Sequence, residues 1–210
     1  MKSLLKKLLL ACGIALCVVP AVQAQEYKTL DKTLPSNTPD KVEALIFFSY
    51  ACAHCAAMEP MFLEWQKNTP KGAEINFVPV GFNTLTEALQ QLFYTLQALN
   101  RMDLSPKVFD AIHQQRLNLF TRDNIQAWLK DQGVSKEQFD AVYDSFGVNA
   151  KIKQANNLVH AYNVTATPTI AIAGKYVISP DMVESNSPSE AYQRTYEIAQ
   201  DLLLKSVKAK

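Results

Sequence analysis

The sequence lacks three things: an excess of either charge, repeated segments, and a run of apolar residues long enough to cross a membrane. Its 210 residues include 21 Lys and Arg against 20 Asp and Glu, a formal charge of +1, so nothing suggests nucleic acid as a partner. Internal repeats and low-complexity tracts are absent. With 48% apolar and 20% charged residues, the composition is typical of one or two soluble globular domains.

The apolar run nearest the start, Leu8–Val19, has only 12 residues. That is too few for a helix crossing about 30 Å of hydrocarbon. Three lysines precede this run, and small residues follow at Val22 and Ala24. A basic segment, a short apolar core and small residues at a cleavage site are typical of a secretory signal. The sequence therefore predicts a cleaved signal peptide over residues 1–24.

Cysteine is scarce, and the predicted cleavage makes it scarcer. Of the four cysteines, Cys12 and Cys17 lie in the signal, so the mature chain keeps only Cys52 and Cys55. A secreted protein works in an oxidising compartment. A chain of this length with one cysteine pair is nevertheless not a disulfide framework, which serves small cysteine-dense chains.

The pattern around the cysteine pair predicts a strand, a helix and a second strand. Lys41–Tyr50 contains a continuous apolar run, typical of a strand buried on both faces. Ala53–Lys67 is rich in helix-forming residues, and Glu74–Val80 alternates as a strand does. This order predicts a parallel β-α-β crossover and an α/β fold.

The next part of the chain is helical, and the pattern returns to strands only near the end. Thr121 and Ser135 are predicted N-caps, and Gly133 and Gly147 are predicted helix ends. Four short helices are predicted over residues 85–100, 105–117, 121–133 and 135–147, a fifth over 150–163, a hairpin over 169–173 and 175–178 turning at 174, and a last helix over 188–206. The aromatic residues of the helical part recur in helical phase, which favours a core over a substrate groove: Phe93, Tyr94, Phe109, Phe120 and Trp128.

The position of Cys52 predicts a reactive thiol. If the preceding strand ends near Tyr50, Cys52 lies at the N-terminus of the next helix, where free N–H groups and the helix dipole stabilise a thiolate. Cys55 lies one turn further on the same side and more buried. His54, between them, can add a positive charge or a hydrogen bond. Cys52 would then be the nucleophile and leaving group, and Cys55 the resolving thiol.

The cysteine pair has two alternative interpretations, a zinc site and a purely structural disulfide, and the sequence favours neither. Zinc needs four ligands, and the mature chain offers two cysteines with the scattered His113 and His160, so no metal site is expected. We expect these two histidines to be ordinary helix-surface residues. A purely structural disulfide would close a very small loop and constrain the unfolded chain little.

The quoted motifs carry a resemblance. A C-x-x-C after a buried strand, with Thr-Pro before a later strand, resembles the thioredoxin fold. The segments "FFSYACAHC" and "GKYVISP" and the inserted helices are similar to the DsbA family of periplasmic thiol:disulfide oxidoreductases, from about Tyr27 to Leu204. The resemblance implies an α/β thioredoxin fold with an inserted helical domain: a thioredoxin-like domain over 25–83 and 148–210, and the insert over 84–147.

The resemblance also implies site roles. Cys52 would be the exposed catalytic cysteine and Cys55 its buried partner in a redox-active disulfide. Pro168 would be a cis-proline, and Thr167 would offer backbone groups to an extended substrate chain. Glu59 matches a carboxylate position under the family's active site, and the sequence leaves open whether it is a solvated helix charge or a buried modulator.

Two residues depart from the family pattern. Ala53 stands where the family usually has proline between the cysteines, which leaves the redox potential open. Thr167 stands where family members often have valine, and threonine also occurs in disulfide isomerases. The balance of oxidase over isomerase or reductase activity is therefore open.

The sequence predicts a periplasmic enzyme that introduces disulfides into reduced, unfolded secreted polypeptides without a cofactor. The resemblance implies a DsbB-like membrane quinone reductase as its re-oxidant. We expect a monomer. The segment before the first core strand is too short for the dimerisation domain of periplasmic isomerases, which argues against an isomerase of that kind. The alternatives are an isomerase or reductase of the same fold, and a chaperone-like binding module without redox turnover.

Overall fold

The computed structural model describes residues 26–210, so the predicted signal peptide lies outside the described residues. A five-stranded mixed sheet forms the centre of this part, in the order β1-β5-β4-β2-β3. The strands are β1 Lys28–Thr29, β2 Val42–Phe48, β3 Ala73–Pro79, β4 Thr169–Ile172 and β5 Tyr176–Ile178. β2 and β3 are parallel, as predicted, and the other pairs are antiparallel.

Seven α-helices surround the sheet in the described part of the chain. They are α1 Ala53–Lys67, α2 Thr84–Ala98, α3 Ser105–His113, α4 Arg122–Asp131, α5 Lys136–Val142, α6 Phe146–Ala161 and α7 Pro188–Ala209, with short 3-10 turns at Met102–Leu104 and Pro180–Met182. From β2 onwards the order of helices and strands is the predicted one, whereas the sequence does not predict β1. Within residues 26–210, no helix is both long and apolar enough to be a membrane span.

Strand β2 separates two apolar cores, and all seven of its residues are buried. Leu45 and Phe47 pack into the core shared with the helices between β3 and β4. Ala44 and Ile46 point to the opposite face and pack into the core under α1 and α7. A strand with apolar residues on both faces needs this position, because either face would otherwise expose apolar surface. The strand that leads to Cys52 is therefore held from both sides.

The helical part between β3 and β4 has the predicted helices, but several predicted boundaries are wrong: α3 ends at His113 rather than at 117, α5 ends at Val142 rather than at 147, and α6 begins at Phe146 rather than at 150. Thr121 caps α4, and Ser135 forms a capping box with Gln138 at the start of α5. Gly147 does not end a helix: Ser145 caps α6, and Gly147 lies in its first turn. The Ser145 hydroxyl accepts the N–H of Val148, a local cap that outweighs the weak helix propensity of glycine.

The aromatic residues of this part form a core, as predicted. The four side chains Phe93, Tyr94, Phe109 and Trp128 are each at most 8% exposed, and Phe120 is partly buried against the same core.

The hairpin between β4 and β5 turns through two residues of positive φ, Ala173 at 56° and Gly174 at 67°. Gly174 also meets a steric limit, since a Cβ there would lie 2.2 Å from the Leu34 carbonyl oxygen. The Leu34 N–H donates to the Gly174 carbonyl at 2.8 Å. Glycine is required because the N-terminal segment passes directly against the turn.

Candidate active site

Cys52 is the N-cap of α1, as the sequence predicts. Its backbone is extended, with φ −87° and ψ 116°, and its sulfur accepts the Cys55 N–H at 3.4 Å. The Cys52 thiol donates to the Thr167 carbonyl at 3.1 Å. Cys52 is partly exposed and Cys55 is 1% exposed, and both thiols are free. The structure is thus that of the reduced pair.

The two thiols have opposite acidities. The pKa of Cys52 is lowered from 9.0 to about 5, chiefly by a hydrogen bond from the Cys55 thiol, against the opposing effect of burial. Hydrogen bonds from the Thr167 side chain and from the backbone N–H groups of Cys55 and His54 lower it further. Burial, and then the bond to Cys52 and its charge, raise the pKa of Cys55 well above 9.0. At neutral pH the pair therefore holds one thiolate and one thiol.

The Thr167–Pro168 peptide bond is cis, as predicted. It lies between α6 and β4, and the Thr169 hydroxyl donates to the Ala166 carbonyl at 2.9 Å, which closes the loop. β4 pairs with β2 in a register that places Thr169 opposite Phe47. This pairing brings the cis-proline loop to the end of β2, where Cys52 follows.

His54 has a partner that the sequence did not predict. Its Nδ1 lies 2.6 Å from the Tyr192 hydroxyl on α7, and the two rings meet edge to face with centroids 5.9 Å apart. The contribution of His54 to the acidity of Cys52 comes through its backbone N–H. The imidazole is thus held by the last helix of the chain.

A cavity of about 610 Å³ opens beside the cysteine pair. His54, Thr167, Pro168 and Tyr192 contribute to its wall, together with the 3-10 turn at Pro180. The cavity lies close to Cys52, since Thr167, which lines it, is also the residue whose carbonyl contacts the Cys52 sulfur. It offers space for a ligand in contact with the cis-proline loop.

The prediction that His113 is an ordinary surface residue is wrong. Its Nε2 lies 2.8 Å from the Tyr50 carbonyl, and its ring stacks on Phe109. The Tyr50 hydroxyl lies 2.6 Å from the Ser105 hydroxyl, so α3 holds Tyr50 at both ends. His160 is exposed on α6, as predicted. Only His113 meets a backbone acceptor from the segment before Cys52, a contact across 63 residues that periodicity cannot reveal.

Glu59, one turn beyond Cys55 in α1, is partly buried. Its Oε1 atom is buried and has no hydrogen-bond partner among the described residues. Burial raises the pKa of this carboxyl above 4.5. Of the two alternatives for Glu59, the structure therefore favours a buried carboxyl over a solvated helix charge.

Among the described residues, 26–210, no group of three or more His, Cys, Asp or Glu side chains is placed to bind a metal ion.

A C-x-x-C pair at a helix N-terminus, beside a cis-proline on a mixed sheet, defines a thioredoxin-fold thiol:disulfide oxidoreductase. The model of the DSBA-like thioredoxin domain matches residues 45–197. The chain belongs to this family, the DsbA family.

Two curated relatives and one crystal structure show how far the likeness extends. The thiol:disulfide interchange protein DsbA of Bordetella pertussis is 40% identical over 201 residues, covering 94% of each chain. DsbA of Pseudomonas aeruginosa is 34% identical over 169 residues, covering 79% of this chain and 78% of its own. The crystal structure of P. aeruginosa DsbA superposes with a TM-score of 0.76 at 29% identity, covering 88% of this chain and 95% of the P. aeruginosa chain.

Proposed function

We propose that the chain is a periplasmic dithiol oxidase that introduces disulfides into reduced, unfolded secreted polypeptides through Cys52 and Cys55. The observation that carries this proposal is the asymmetry of the two thiols, one with its pKa lowered to about 5 and the other with its pKa raised. A stabilised thiolate favours the reduced form of the protein, which makes its disulfide a strong oxidant. The predicted signal peptide over 1–24 supports the periplasmic location.

Exchange would proceed in two steps. A substrate thiolate attacks the Cys52 sulfur, the Cys52–Cys55 bond breaks, and the Cys55 sulfur leaves and takes a proton because burial disfavours its charge. A second substrate thiolate then attacks the substrate sulfur of the mixed disulfide, and the Cys52 thiolate leaves. The substrate loses two electrons and two protons and gains one disulfide. The low pKa of Cys52 makes it the better leaving group in the second step.

The cis-proline loop would hold the substrate chain. The protonated Cys52 thiol donates to the Thr167 carbonyl. Neither the Cys52 thiolate nor the disulfide has an S–H to donate, so in the oxidised form this carbonyl is free to accept an N–H from an extended substrate beside Pro168. The cavity beside the loop gives side chains of the substrate a place to lie.

We further propose the division of the chain. Residues 25–83 and 148–210 form the thioredoxin-like domain, and 84–147 form the inserted helical domain. The protein acts as a monomer without a bound cofactor, and a DsbB-like membrane quinone reductase takes the electrons from the reduced pair. Glu59, behind Cys55, modulates the pair through its buried carboxyl.

Incubation of the oxidised protein with a reduced two-cysteine polypeptide tests the proposal. We expect one substrate disulfide per protein molecule, two substrate thiols lost, and two thiols gained at Cys52 and Cys55. Cys52→Ser serves as the inactive control. Faster reduction of insulin than oxidation of the peptide would point to a reductase, and rearrangement of scrambled disulfides without net oxidation would point to an isomerase. Binding of the unfolded substrate without thiol exchange would point to a chaperone-like module.

A further inference from the structure

The imidazole of His54 is fixed by a hydroxyl group from a distant part of the chain. His54 and Tyr192 are 138 residues apart, and the His54 Nδ1 lies 2.6 Å from the Tyr192 hydroxyl. Their rings also pack edge to face, at an interplanar angle of 67°. Two contacts of different kinds thus determine where the imidazole lies, although His54 is itself exposed.

Tyr192 is placed by a well-anchored element. The Ser187 hydroxyl caps α7, and Pro188 occupies its first turn. Ala191, directly before Tyr192, is 7% exposed, and Thr195, one turn further, is fully buried. Because these neighbours bury the same helical face against the sheet, the Tyr192 hydroxyl has little freedom to follow the imidazole. The tyrosine therefore positions the histidine rather than the reverse.

The direction of this bond decides which nitrogen of the imidazole carries the proton. Burial, and then negative charge on Cys52 and Cys55, raise the pKa of Tyr192 above 10.0, so its hydroxyl stays protonated at neutral pH. A neutral imidazole that accepts this O–H at Nδ1 carries its own proton on Nε2. A protonated imidazole would instead donate from Nδ1 to the tyrosine oxygen and again keep a proton on Nε2. In both of these states Nε2–H remains a donor, whereas a neutral imidazole that donated from Nδ1 to the tyrosine oxygen would leave Nε2 without a proton.

We propose that Tyr192 is a positioning residue that holds His54 with Nε2–H as the free donor at the rim of the cavity beside Cys52. His54 follows Cys52 by two residues in the first turn of α1 and shares the cavity wall with Thr167, whose carbonyl contacts the Cys52 sulfur. The backbone N–H of His54 already lowers the pKa of Cys52, and a side-chain donor held at this rim would add to the stabilisation of negative charge on that sulfur. The consequence for disulfide exchange rests on the proposed function, whereas the positioning of His54 does not.

Tyr192→Phe removes the hydroxyl and keeps the ring contact. Tyr196→Phe is the matched control, since Tyr196 lies one turn further on α7 and packs on Trp65 rather than on His54. Both variants are made in the full mature protein, with and without His54→Ala. The measurements are the His54 tautomer by ¹⁵N NMR, the Cys52 pKa by thiolate absorbance, and the equilibrium constant with glutathione.

We expect Tyr192→Phe to lower the population of the Nε2–H tautomer and to raise the Cys52 pKa. The variant should also be a weaker oxidant, with its equilibrium constant with glutathione shifted about 2- to 10-fold, the effect of losing one hydrogen bond. Tyr196→Phe should change none of the three, and the effect should vanish in the His54→Ala background. Equal effects of the two variants, an effect that persists without His54, no effect of Tyr192→Phe, or an Nδ1–H tautomer in the unmodified protein would each overturn the proposal. None of these readouts requires substrate oxidation, so a failed oxidase assay leaves them interpretable.

Discussion

Cys52 combines two roles that are usually separate, helix capping and redox chemistry. N-caps are normally Ser, Thr, Asp or Asn, whose side-chain oxygen accepts a backbone N–H of the first turn. At Cys52 the sulfur is the acceptor, with Cys55 supplying the N–H. A negative charge on the acceptor strengthens this bond and the interaction with the helix dipole. The thiolate is therefore both the reactive form and the better cap.

The difference between the two cysteines gives a direct test of their roles. Cys55→Ser should accumulate mixed disulfides with secreted polypeptides, because Cys52 still reacts and the resolving thiol is gone. Cys52→Ser should accumulate none, since Cys55 is 1% exposed. Non-reducing gels of trapped complexes measure this. Equal trapping by both variants would contradict the assignment.

His113 offers a second test at the residue scale. His113→Leu leaves the Tyr50 carbonyl without its imidazole partner, which should cost about 1–2 kcal/mol of unfolding free energy. Urea melts would measure the loss. His160→Leu is the matched control, on an exposed site of α6, and should stay within about 0.5 kcal/mol of the unmodified protein. If the two substitutions cost the same, the bond to Tyr50 contributes nothing measurable.

At the scale of elements, the sequence predicts what local chemistry decides. The caps at Thr121 and Ser135 were predictable because each is made by residues within one turn. The start of α6 is not predictable in this way, because Gly147, a frequent helix terminator, follows the N-cap Ser145 by only two residues. The resemblance supplied the cis bond before Pro168.

The partners of His54 and His113 could not be predicted, because both come from tertiary packing. The bond from His54 to Tyr192 spans 138 residues, and that from His113 to Tyr50 spans 63. No periodic pattern signals a hydrogen bond between such distant residues. The burial of Glu59 likewise depends on what packs over α1, which the helix pattern alone leaves open.

The first turn of α1 should tolerate the proline that the family usually carries there. Ala53 is the first residue of α1, where proline is favoured because its N–H has no partner within the helix. Ala53→Pro should keep the fold, gain about 0.4–1 kcal/mol of stability, and shift the redox potential while retaining oxidase activity. Thermal melts and glutathione equilibria measure these effects. Loss of folding would mean that the helix does not begin at Ala53.

On the scale of the whole molecule, the sheet brings the reactive groups together. The bond from Cys52 to Thr167 spans 115 residues and depends on the pairing of β2 with β4. α7, packed over the same sheet, brings Tyr192 to His54. The stability of the fold and the acidity of Cys52 are therefore linked: the folded reduced protein stabilises the thiolate, and the thiolate stabilises the folded reduced protein.

The sign and size of this linkage follow from the two thiols. A lowered pKa gives stability that is fully present above the unfolded value and lost as pH falls through the folded value, about 5 for Cys52. At pH 7 the thiolate should stabilise the reduced form by about 1–3 kcal/mol after allowance for solvent screening, or about 20–60 mV of oxidising power. The raised pKa of Cys55 destabilises the folded reduced protein, but only above about pH 8.5, where this thiol ionises in the unfolded chain and stays protonated in the folded one.

Denaturant melts of the reduced and oxidised protein between pH 4 and pH 8 test this account most directly, with about 8.5 taken as the unfolded thiol pKa. The reduced form should be the more stable at pH 7. Its advantage should shrink as pH falls towards about 5 and level off below that value, because the Cys52 thiolate is then protonated in both states. If the oxidised form is instead the more stable at pH 7, and the difference does not change with pH, Cys52 is an ordinary thiol and the account is contradicted.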